Sequence, residues 1–464
     1  MIKWPHYTSI WRWHFYAGLL CIPFVCWLAV TGSIYLFRSD YEAWRDKPIE
    51  RLEYTGPRQS PAAEAAAAVS ALPGSTFNRY EPPATARGAA QIVVQSRGEL
   101  YRIVVHPRSL AVLRTEKESG RLMEAVFALH GSLGAGDPGS YVMETAASWT
   151  IVMIVSGLFL WFPRNIKSVW GVLLPRLGAH GRVWWRDLHA VSGMWISLLV
   201  LIMLLSGLPW ASGWGSYFVW MRNLTTATAT APDWPISKAA PPGVADSRAS
   251  MPGMTAAEMA AMPSAGASNE GMPSGPNGWS LNDLNVVVPA VERQHLVRPA
   301  WILPPPKIGE HWVGTSQAQD RRQRHQVKVD AVSGEILEES SFEDLPRLDK
   351  IVNVGVSLHE GHLFGRLNQA ILLATALTLV GMSISAIAMW WRRRPSGRLG
   401  APRPAGERQA IISLWVTICL LAIFFPMFGA SLVLILIVEK LVLARIPRVS
   451  EWLGLQTRQR RARV

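Results

Sequence analysis

Long runs without a charged residue divide the chain into apolar and polar blocks. Such runs cover residues 15–37, 145–163 and 367–391, and a fourth lies inside 188–221. About 20 apolar residues cross the hydrocarbon core of a bilayer, so each of these four runs predicts one membrane-spanning helix. The first run is too long for the core of a signal peptide and lacks an A-x-A cleavage site, so we expect an uncleaved anchor.

The fifth apolar run, 409–438, is longer and contains Pro426 and Gly429 near its middle. Lys and Arg concentrate beside the ends of all five runs, above all in the loops after the second and fourth runs and in the C-terminal tail. Because cytoplasmic segments carry such an excess, we predict that both termini are cytoplasmic. A single crossing by the last run would export the basic tail. We therefore predict a short hairpin that turns at 425–427, which gives six crossings.

The polar blocks predict folded modules outside the membrane. Residues 101–105 and 326–329 alternate as strands do, and the Ala-rich segment 62–68 predicts a helix packed on such strands. The predicted fold is an integral membrane α-helical bundle of about six spans, with an internal parallel duplication and two α+β modules. Its segments are a first span (1–37), module 1 (38–140), a second span (141–163), a cytoplasmic loop (164–187), a third span (188–211), module 2 (212–365) with a flexible Met/Pro/Ala-rich insertion (226–280), a fourth span (366–391), a cytoplasmic loop (392–408), a hairpin (409–445) and a basic tail (446–464).

Composition agrees with a membrane protein. Apolar residues make up 49% of the chain and charged residues only 17%, whereas soluble proteins carry about 25% charged residues. The net charge is +13, but the basic residues lie beside apolar runs. We therefore expect membrane lipid as the surroundings and no nucleic-acid partner. The three cysteines all lie inside apolar runs, so the sequence predicts neither a disulfide framework nor a CxxC site.

An internal repeat places histidines at equivalent positions. His14 and His189 are each followed by glycine after 4 and after 18 residues. His130 and His359 are each followed by serine after 26 and by tryptophan after 31 residues. We therefore predict two copies of a unit made of a span, an extramembrane module, a histidine and a second span, related by an axis along the membrane normal.

This symmetry predicts two pairs of imidazoles at two depths. His14 and His189 lie at the cytoplasmic level, and His130 and His359 lie at the outer level. A pair of imidazoles across a helix bundle is suited to the axial ligation of haem iron. The glycine four residues after each inner histidine leaves room for a flat macrocycle. If about 12–16 residues of helix separate the levels, the irons are roughly 18–24 Å apart, which suits electron transfer across the membrane.

Two alternatives concern the ligands themselves. His362 follows His359 by three residues on nearly the same helical face, so it is either the outer ligand in place of His359 or a group that hydrogen-bonds near it. The repeat favours His359. A zinc site is a weaker interpretation, because no Cys, Asp or third His converges at a suitable spacing.

The insertion raises a separate question about copper. Thioethers are soft ligands for Cu(I), and several methionines lie in this otherwise hydrophilic stretch. The alternative is a linker that binds nothing. The methionines considered as possible copper ligands are Met251, Met254, Met259 and Met262.

The motifs around the four histidines, taken in order, resemble the PepSY-associated transmembrane family of bacterial inner-membrane proteins, which includes siderophore–iron reductases. The resemblance implies PepSY-like periplasmic modules, two b haems, and delivery of electrons to a ferric siderophore in the periplasm. It implies that the haem histidines are His14, His130, His189 and His359. The motifs that carry the resemblance are Arg12-Trp13-His14 with Gly18, Leu129-His130-Gly131-Ser132-Leu133, Asp187-Leu188-His189 with Gly193, and Ser357-Leu358-His359-Glu360-Gly361 with Phe364-Gly365.

The source and the acceptor of electrons stay open at this point. No G-x-G-x-x-G motif follows a predicted strand and opens a helix, so we expect a separate donor, either a cytoplasmic flavoprotein or a quinol. The leading hypothesis is a membrane haem-dependent ferric-siderophore reductase. One alternative is a b-type cytochrome that reduces another periplasmic acceptor such as copper. The other is a non-redox anchor whose modules bind a periplasmic protein.

Overall fold

The computed structural model describes residues 7–163, 168–225, 275, 277–402 and 412–455. It divides into two compact units. The first contains Met1–Leu36, Phe127–Ala239 and Phe364–Val464, and the second contains Phe37–Val126 and Ala240–Leu363. Each unit therefore takes residues from both copies of the repeat.

The described segments contain helices that we number α1 to α13 and strands that we number β1 to β8. The helices are α1 (Tyr7–Tyr35), α2 (Arg38–Asp46), α3 (Pro61–Ala71), α4 (Leu122–Ser132), α5 (Gly136–Trp161), α6 (Gly181–Gly207), α7 (Ser212–Thr225), α8 (Leu284–Arg293), α9 (Arg347–His359), α10 (Gly365–Arg393), α11 (Ile412–Phe424), α12 (Pro426–Leu441) and α13 (Pro447–Leu453). The strands are β1 (Thr76–Glu81), β2 (Ala90–Ser96), β3 (Glu99–Val105), β4 (Val112–Lys117), β5 (Ala300–Leu303), β6 (Trp312–Ser316), β7 (His325–Val329) and β8 (Ile336–Ser341).

The first unit is built around a ring of four long helices. Helix α1 packs on α5, α5 on α6, α6 on α10, and α10 on α1. The helices that correspond in the repeat, α1 with α6 and α5 with α10, therefore lie diagonally opposite each other. Side chains that point inward from α1 and α6 consequently face one another across the ring.

Several helices are long and apolar enough to cross a membrane. Among the described residues there are five such segments: Tyr7–Asp46, Gly136–Trp161, Gly181–Trp210, Gly365–Arg393 and Pro426–Arg445. The chain is therefore a membrane protein, and each of the four charge-free runs overlaps one of these segments. Helix α11 has 13 residues in its described part, fewer than a bilayer core requires. Six crossings and the orientation of the termini stay predictions.

The chain does reverse at the predicted turn between α11 and α12. A Cβ atom at Gly429 would lie 3.1 Å from the Cβ of Ala422, whereas seven residues of continuous helix rise about 10 Å. The two helices therefore fold back on each other about Phe425. Pro426 begins α12 at a position that needs no backbone N–H, which explains why the turn lies here.

The membrane helices begin before the charge-free runs do. Helix α1 begins at Tyr7 and contains Arg12, and α6 begins at Gly181 and contains two arginines and Asp187. Arginine is a good helix former, and its long side chain can reach water from the end of a span. The charge-free runs therefore underestimate the length of each of these helices at its arginine-bearing end.

The second unit is organised by one antiparallel sheet of eight strands, in the order β4-β3-β2-β1-β5-β6-β7-β8. Each copy of the repeat contributes four consecutive strands. They join where β1 pairs with β5, with Tyr80 opposite Ile302. The sequence predicts two modules, and the structure joins their strands in one sheet, because this pairing satisfies backbone groups that two separate modules would expose at their edges.

Helices α3 and α8 cover one face of this sheet. The Ala-rich sequence predicts α3, which Ser60 caps by accepting a hydrogen bond from the backbone N–H of Ala63. The small Ala side chains allow the helix to lie close to the strands. The largest side chains of this core that are fully buried are Trp312, Tyr80, Ile92, Ile103, Leu281, Leu284 and Ile302.

The other face of β1 and β3 carries buried charges. The guanidinium of Arg102 lies 2.5 Å from a carboxylate oxygen of Glu81 and 2.5 Å from one of Glu118, and Arg79 pairs with Glu81 at 2.8 Å. Burial raises the pKa of Glu118, but the positive charge of Arg102 outweighs it and lowers that pKa to about 2. The pKa of Glu81 is lowered in the same way, against its burial, by Arg102 and Arg79.

Candidate functional site

The ring of four helices brings His14 and His189 together. Their ring centres are 6.3 Å apart and their planes are nearly perpendicular, at 81°. Two imidazoles on opposite sides of one first-row metal ion have ring centres about 6 Å apart, because each metal–nitrogen bond is about 2 Å long and each nitrogen lies about 1 Å from its ring centre. The observed separation therefore fits one metal ion between the two rings.

Hydrogen bonds fix how each ring is turned. The Nδ1 of His14 lies 3.0 Å from the hydroxyl of Ser156, and this hydroxyl donates its proton to the carbonyl oxygen of Met153 at 3.0 Å. The hydroxyl oxygen can therefore only accept from the histidine. We assign the ring proton of His14 to Nδ1, which leaves the lone pair on Nε2, the atom that would bind a metal.

The second ring is held in the equivalent way. The Nδ1 of His189 lies 3.2 Å from the carbonyl oxygen of Met382 and 3.3 Å from the hydroxyl of Ser385. That hydroxyl donates to the carbonyl oxygen of Met382 at 2.6 Å. The same assignment follows, so both Nε2 atoms of the pair carry lone pairs. Ser156 and Ser385 are the serines that mark the repeat.

The ring of His14 packs closely against α5 because a glycine of that helix faces it. A Cβ atom at Gly157 would lie 3.0 Å from Cε1 of His14, so a larger side chain would push the ring away. The glycines one turn from the ligands have a different neighbour. A Cβ at Gly18 would lie 3.7 Å from the sulfur of Met153, and one at Gly193 would lie 2.9 Å from the methyl group of Met382. Each of these two glycines thus packs against a methionine in this structure.

His130 lies against the other end of α1. Its Nδ1 is 2.9 Å from the hydroxyl of Thr31, which donates its proton to the carbonyl oxygen of Trp27 at 2.7 Å. A Cβ at Gly32 would lie 3.1 Å from Cε1 of His130. The glycine 18 residues after His14 therefore makes room for the ring of His130. As in the inner pair, the proton belongs on Nδ1 and the lone pair on Nε2.

The two histidine levels are far apart along the same helix. Seventeen residues of α1 separate His14 from Thr31, which corresponds to about 25 Å of helix at 1.5 Å per residue. This is slightly more than the 12–16 residues expected from the sequence. The levels thus lie near opposite ends of one membrane-spanning helix.

The remaining two histidines belong to the second unit. His359 is the last residue of α9, and His362 follows in the turn before α10. Burial lowers the pKa of His362, against the nearby carboxylates of Glu360 and Asp40, so its ring is neutral at pH 7. The partnership of His130 with His359 or His362 stays a prediction.

Helix α9, which carries His359, is held by an arginine. The backbone N–H of Arg321 donates to the hydroxyl of Ser357 at 3.0 Å, and its guanidinium donates to the side chain of Asn353 at 3.2 Å. The neighbouring Arg322 pairs with Asp320 at 2.7 Å. These arginines therefore have partners inside the unit.

The residues present fit a haem better than a bare ion. Within the parts of the chain that the structure describes, no group of three or more His, Cys, Asp or Glu residues could hold a metal ion. A tetrahedral zinc site needs three or four protein ligands, whereas haem iron takes two axial ligands from the protein. The four methionines considered for copper all lie outside the described residues.

Several residues of the site carry no functional signal in the sequence. The serines at the +26 positions mark the repeat, but their contact with the histidine rings depends on the rotation of each helix about its axis. The same holds for Thr31 and Gly157. A search for small or hydroxyl residues on the helix facing each histidine would identify them once the helix neighbours are known.

Comparison with known proteins gives one clear result. The family model described as the PepSY-associated TM region matches residues 11–393. No curated protein matches the sequence. The matched range includes all eight strands and the four helices of the ring, except for the first four residues of α1.

Proposed function

The chain belongs to the family of the PepSY-associated TM region, and from this membership and its paired imidazoles we propose that it carries electrons across the bacterial inner membrane on two b haems. The observation that carries the proposal is the inner pair, with ring centres 6.3 Å apart and each Nδ1 engaged by a neighbouring helix. In both rings Nδ1 is engaged by a neighbouring helix, which leaves Nε2 as the nitrogen that would bind a metal.

The inner haem would be held by His14 and His189, and the outer haem by His130 with His359 or His362. When bound, each haem supplies an iron that takes up and releases one electron. The serine hydroxyls hold the inner rings in one tautomer and orientation, which supports binding through Nε2. The two rings lie partly buried between the four helices of the ring.

We propose a ferric siderophore in the periplasm as the acceptor, following the resemblance to siderophore–iron reductases. One electron reduces its Fe(III) to Fe(II), which hard oxygen chelators hold less tightly, so the metal is released. The electron comes from a cytoplasmic flavoprotein or from quinol. Cupric ion is the second candidate acceptor, because of the methionine-rich insertion.

The test is the haem content of the purified protein. After expression with excess haem precursor, we expect about two haems per chain by pyridine haemochrome and a reduced-minus-oxidised b-type spectrum. His14→Ala should remove about half of the pigment, because one of the two irons loses an axial ligand. His180→Ala is the matched control, since His180 is exposed and directly precedes the helix that carries His189.

The outcome separates the classes of function. A protein without a Soret band under these conditions would refute both redox functions and favour a membrane anchor that binds a periplasmic protein. If haem is present, a ferrous-trap assay with ferric hydroxamate, compared with cupric ion, identifies the acceptor. Replacing Met251, Met254, Met259 and Met262 together by Leu should lower only cupric reduction if copper is the substrate.

A further inference from the structure

One arginine at the basic end of the bundle lies beside the inner histidine pair. Arg393 ends α10, and its guanidinium carbon is 4.7 Å from the ring centre of Trp11 and 5.4 Å from that of Phe15. Trp11 precedes His14 by one helical turn and Phe15 follows it directly. Stacking on two aromatic faces therefore fixes this cation within about one turn of a candidate haem ligand.

Arg393 differs from other arginines at this end in its partners. Arg176 and Arg186 both pair with Asp187, and Arg398 pairs with Glu451. Within the described part of the chain, by contrast, no carboxylate oxygen lies within ion-pair distance of Arg393. Its guanidinium donates to the carbonyl oxygen of Gly400 at 3.2 Å. A guanidinium has five N–H donors, so this single bond leaves capacity for an anion.

A b haem brings such anions to this place. Its two propionate side chains are charged at neutral pH, and a charge inside hydrocarbon is costly. The propionates of a haem at the level of His14 therefore turn toward the nearest water, which is at the arginine-bearing helix ends. The fork of a guanidinium matches the two oxygens of a carboxylate.

We propose that Arg393 binds a propionate carboxylate of the inner haem, and that Trp11 and Phe15 hold its guanidinium in position. This rests on the proposed function, because it requires a haem between His14 and His189. Arg393 is then a positioning residue that also sets the reduction potential of that haem, since its positive charge favours the ferrous form.

The first test is a redox titration of the purified wild-type, Arg393→Gln, Arg393→Lys and Arg392→Gln proteins. Loss of the positive charge favours ferric iron, so Arg393→Gln should lower the potential of one haem and leave the other unchanged. We expect the ratio of reduced to oxidised haem to fall about tenfold at a fixed potential, which is about 59 mV for a one-electron couple. Arg393→Lys should recover most of this shift, and Arg392→Gln, at an exposed neighbouring position, should have no effect.

The second test replaces the anion instead of the cation. Apoprotein reconstituted with haem dimethyl ester has no propionate charges. Arg393→Gln should therefore weaken retention of the inner haem when the protein is loaded with ordinary haem, and should not weaken it when the protein is loaded with the ester. Equal weakening with ordinary haem and with the ester would show that Arg393 acts without the propionate, and would overturn the inference.

Haem content separates failure of this inference from failure of the proposed function. A wild-type protein without haem refutes the proposed function itself. Two haems in the wild type with unchanged potentials in Arg393→Gln refute this inference alone. The inference alone is also refuted if Arg393→Gln loses only co-purified anionic phospholipid, because Arg393 would then bind a lipid phosphate. If Arg393→Gln loses one haem, retention in Arg393→Lys supports the inference, whereas equal loss in both refutes it.

Discussion

The inner histidine pair depends on small residues as much as on the histidines. His14 fits against α5 because Gly157 has no side chain, and its Nδ1 is held by the adjacent Ser156. The equivalent of Gly157 in the second copy is Ala386, so the two rings have slightly different room. The second copy carries a methyl group at this position, whereas a Cβ at Gly157 would lie 3.0 Å from the ring of His14.

Gly157→Leu should therefore displace the ring of His14. Its Cβ alone would come within 3.0 Å of Cε1, and the remaining carbons would fill the space that the imidazole occupies. We expect the variant to lose about half of its haem, the same loss that we expect for His14→Ala, and pyridine haemochrome measures it. Gly381→Leu is the matched control, because a Cβ there meets nothing within 4 Å. Full haem content in Gly157→Leu would contradict this reading of the site.

At the residue scale, the sequence predicts which histidines correspond and leaves their surroundings open. The equal spacing after His14 and His189 predicts that they share a depth, and the structure brings their rings together. The contacts with Ser156 and Gly157 were not predictable, because they depend on how α1 and α5 are rotated against each other. The spacing of residues along a helix predicts their depth in the membrane, whereas the rotation of each helix about its axis is set by packing against its neighbours.

Among the elements, β1 and β3 carry an ionic cluster that gives the second unit a distinct response to acid. The pKa of Glu118 is lowered to about 2 and that of Glu81 is also lowered, relative to an ordinary 4.5. Carboxyl groups with lowered pKa values stabilise the fold at pH values above their unfolded pKa. This stabilisation is lost as the pH falls from about 4.5 toward 2.

The variant Arg102→Met tests how the stability of the second unit depends on pH. Removing the guanidinium leaves Glu81 and Glu118 buried with fewer positive partners, which we expect to destabilise the unit by about 3–5 kcal/mol at pH 7. Thermal unfolding in detergent at pH 7, 5 and 3 measures the effect, and the gap between variant and wild type should narrow as the pH falls. Arg51→Met, at an exposed position, is the control. A gap that widens with acid would refute the assigned role of Arg102.

The helices could be predicted from the sequence better than the sheet could. Charge-free runs locate the four helices of the ring, and Pro426 marks the reversal between α11 and α12. No local sequence pattern predicts the pairing of β1 with β5, because Tyr80 and Ile302 are more than 200 residues apart in the chain. Strand alternation predicts each strand but not which edge it joins.

For the whole molecule, the two copies of the repeat interlock twice. In the first unit α1 and α5 of the first copy pack against α10 and α6 of the second, and in the second unit β1 pairs with β5. Neither copy contains a complete ring or a complete sheet. The elements before and after residues 226–274 also pack together in both units, because α10 contacts α1 and α6 and β5 pairs with β1.

Cutting the chain within residues 226–274 should accordingly leave both halves associated. A protease site engineered there, followed by cleavage and affinity purification through a tag on one half, should recover both fragments in mild detergent. Haem content should equal that of the uncut protein. Wild-type protein, which lacks the engineered site, is treated with the same protease as the control for nonspecific cleavage. Fragments that separate on the column would contradict the interlocked arrangement.

The diagonal placement of His14 and His189 bears on how such a protein could arise. One copy alone offers a single imidazole at this level and ends its sheet at an uncovered edge strand. An ancestral single-copy chain would have gained a second axial ligand only by forming a symmetric homodimer. In the present chain both copies are covalently joined, so their association does not depend on protein concentration, and the two sides of the pair can differ, as Gly157 and Ala386 do.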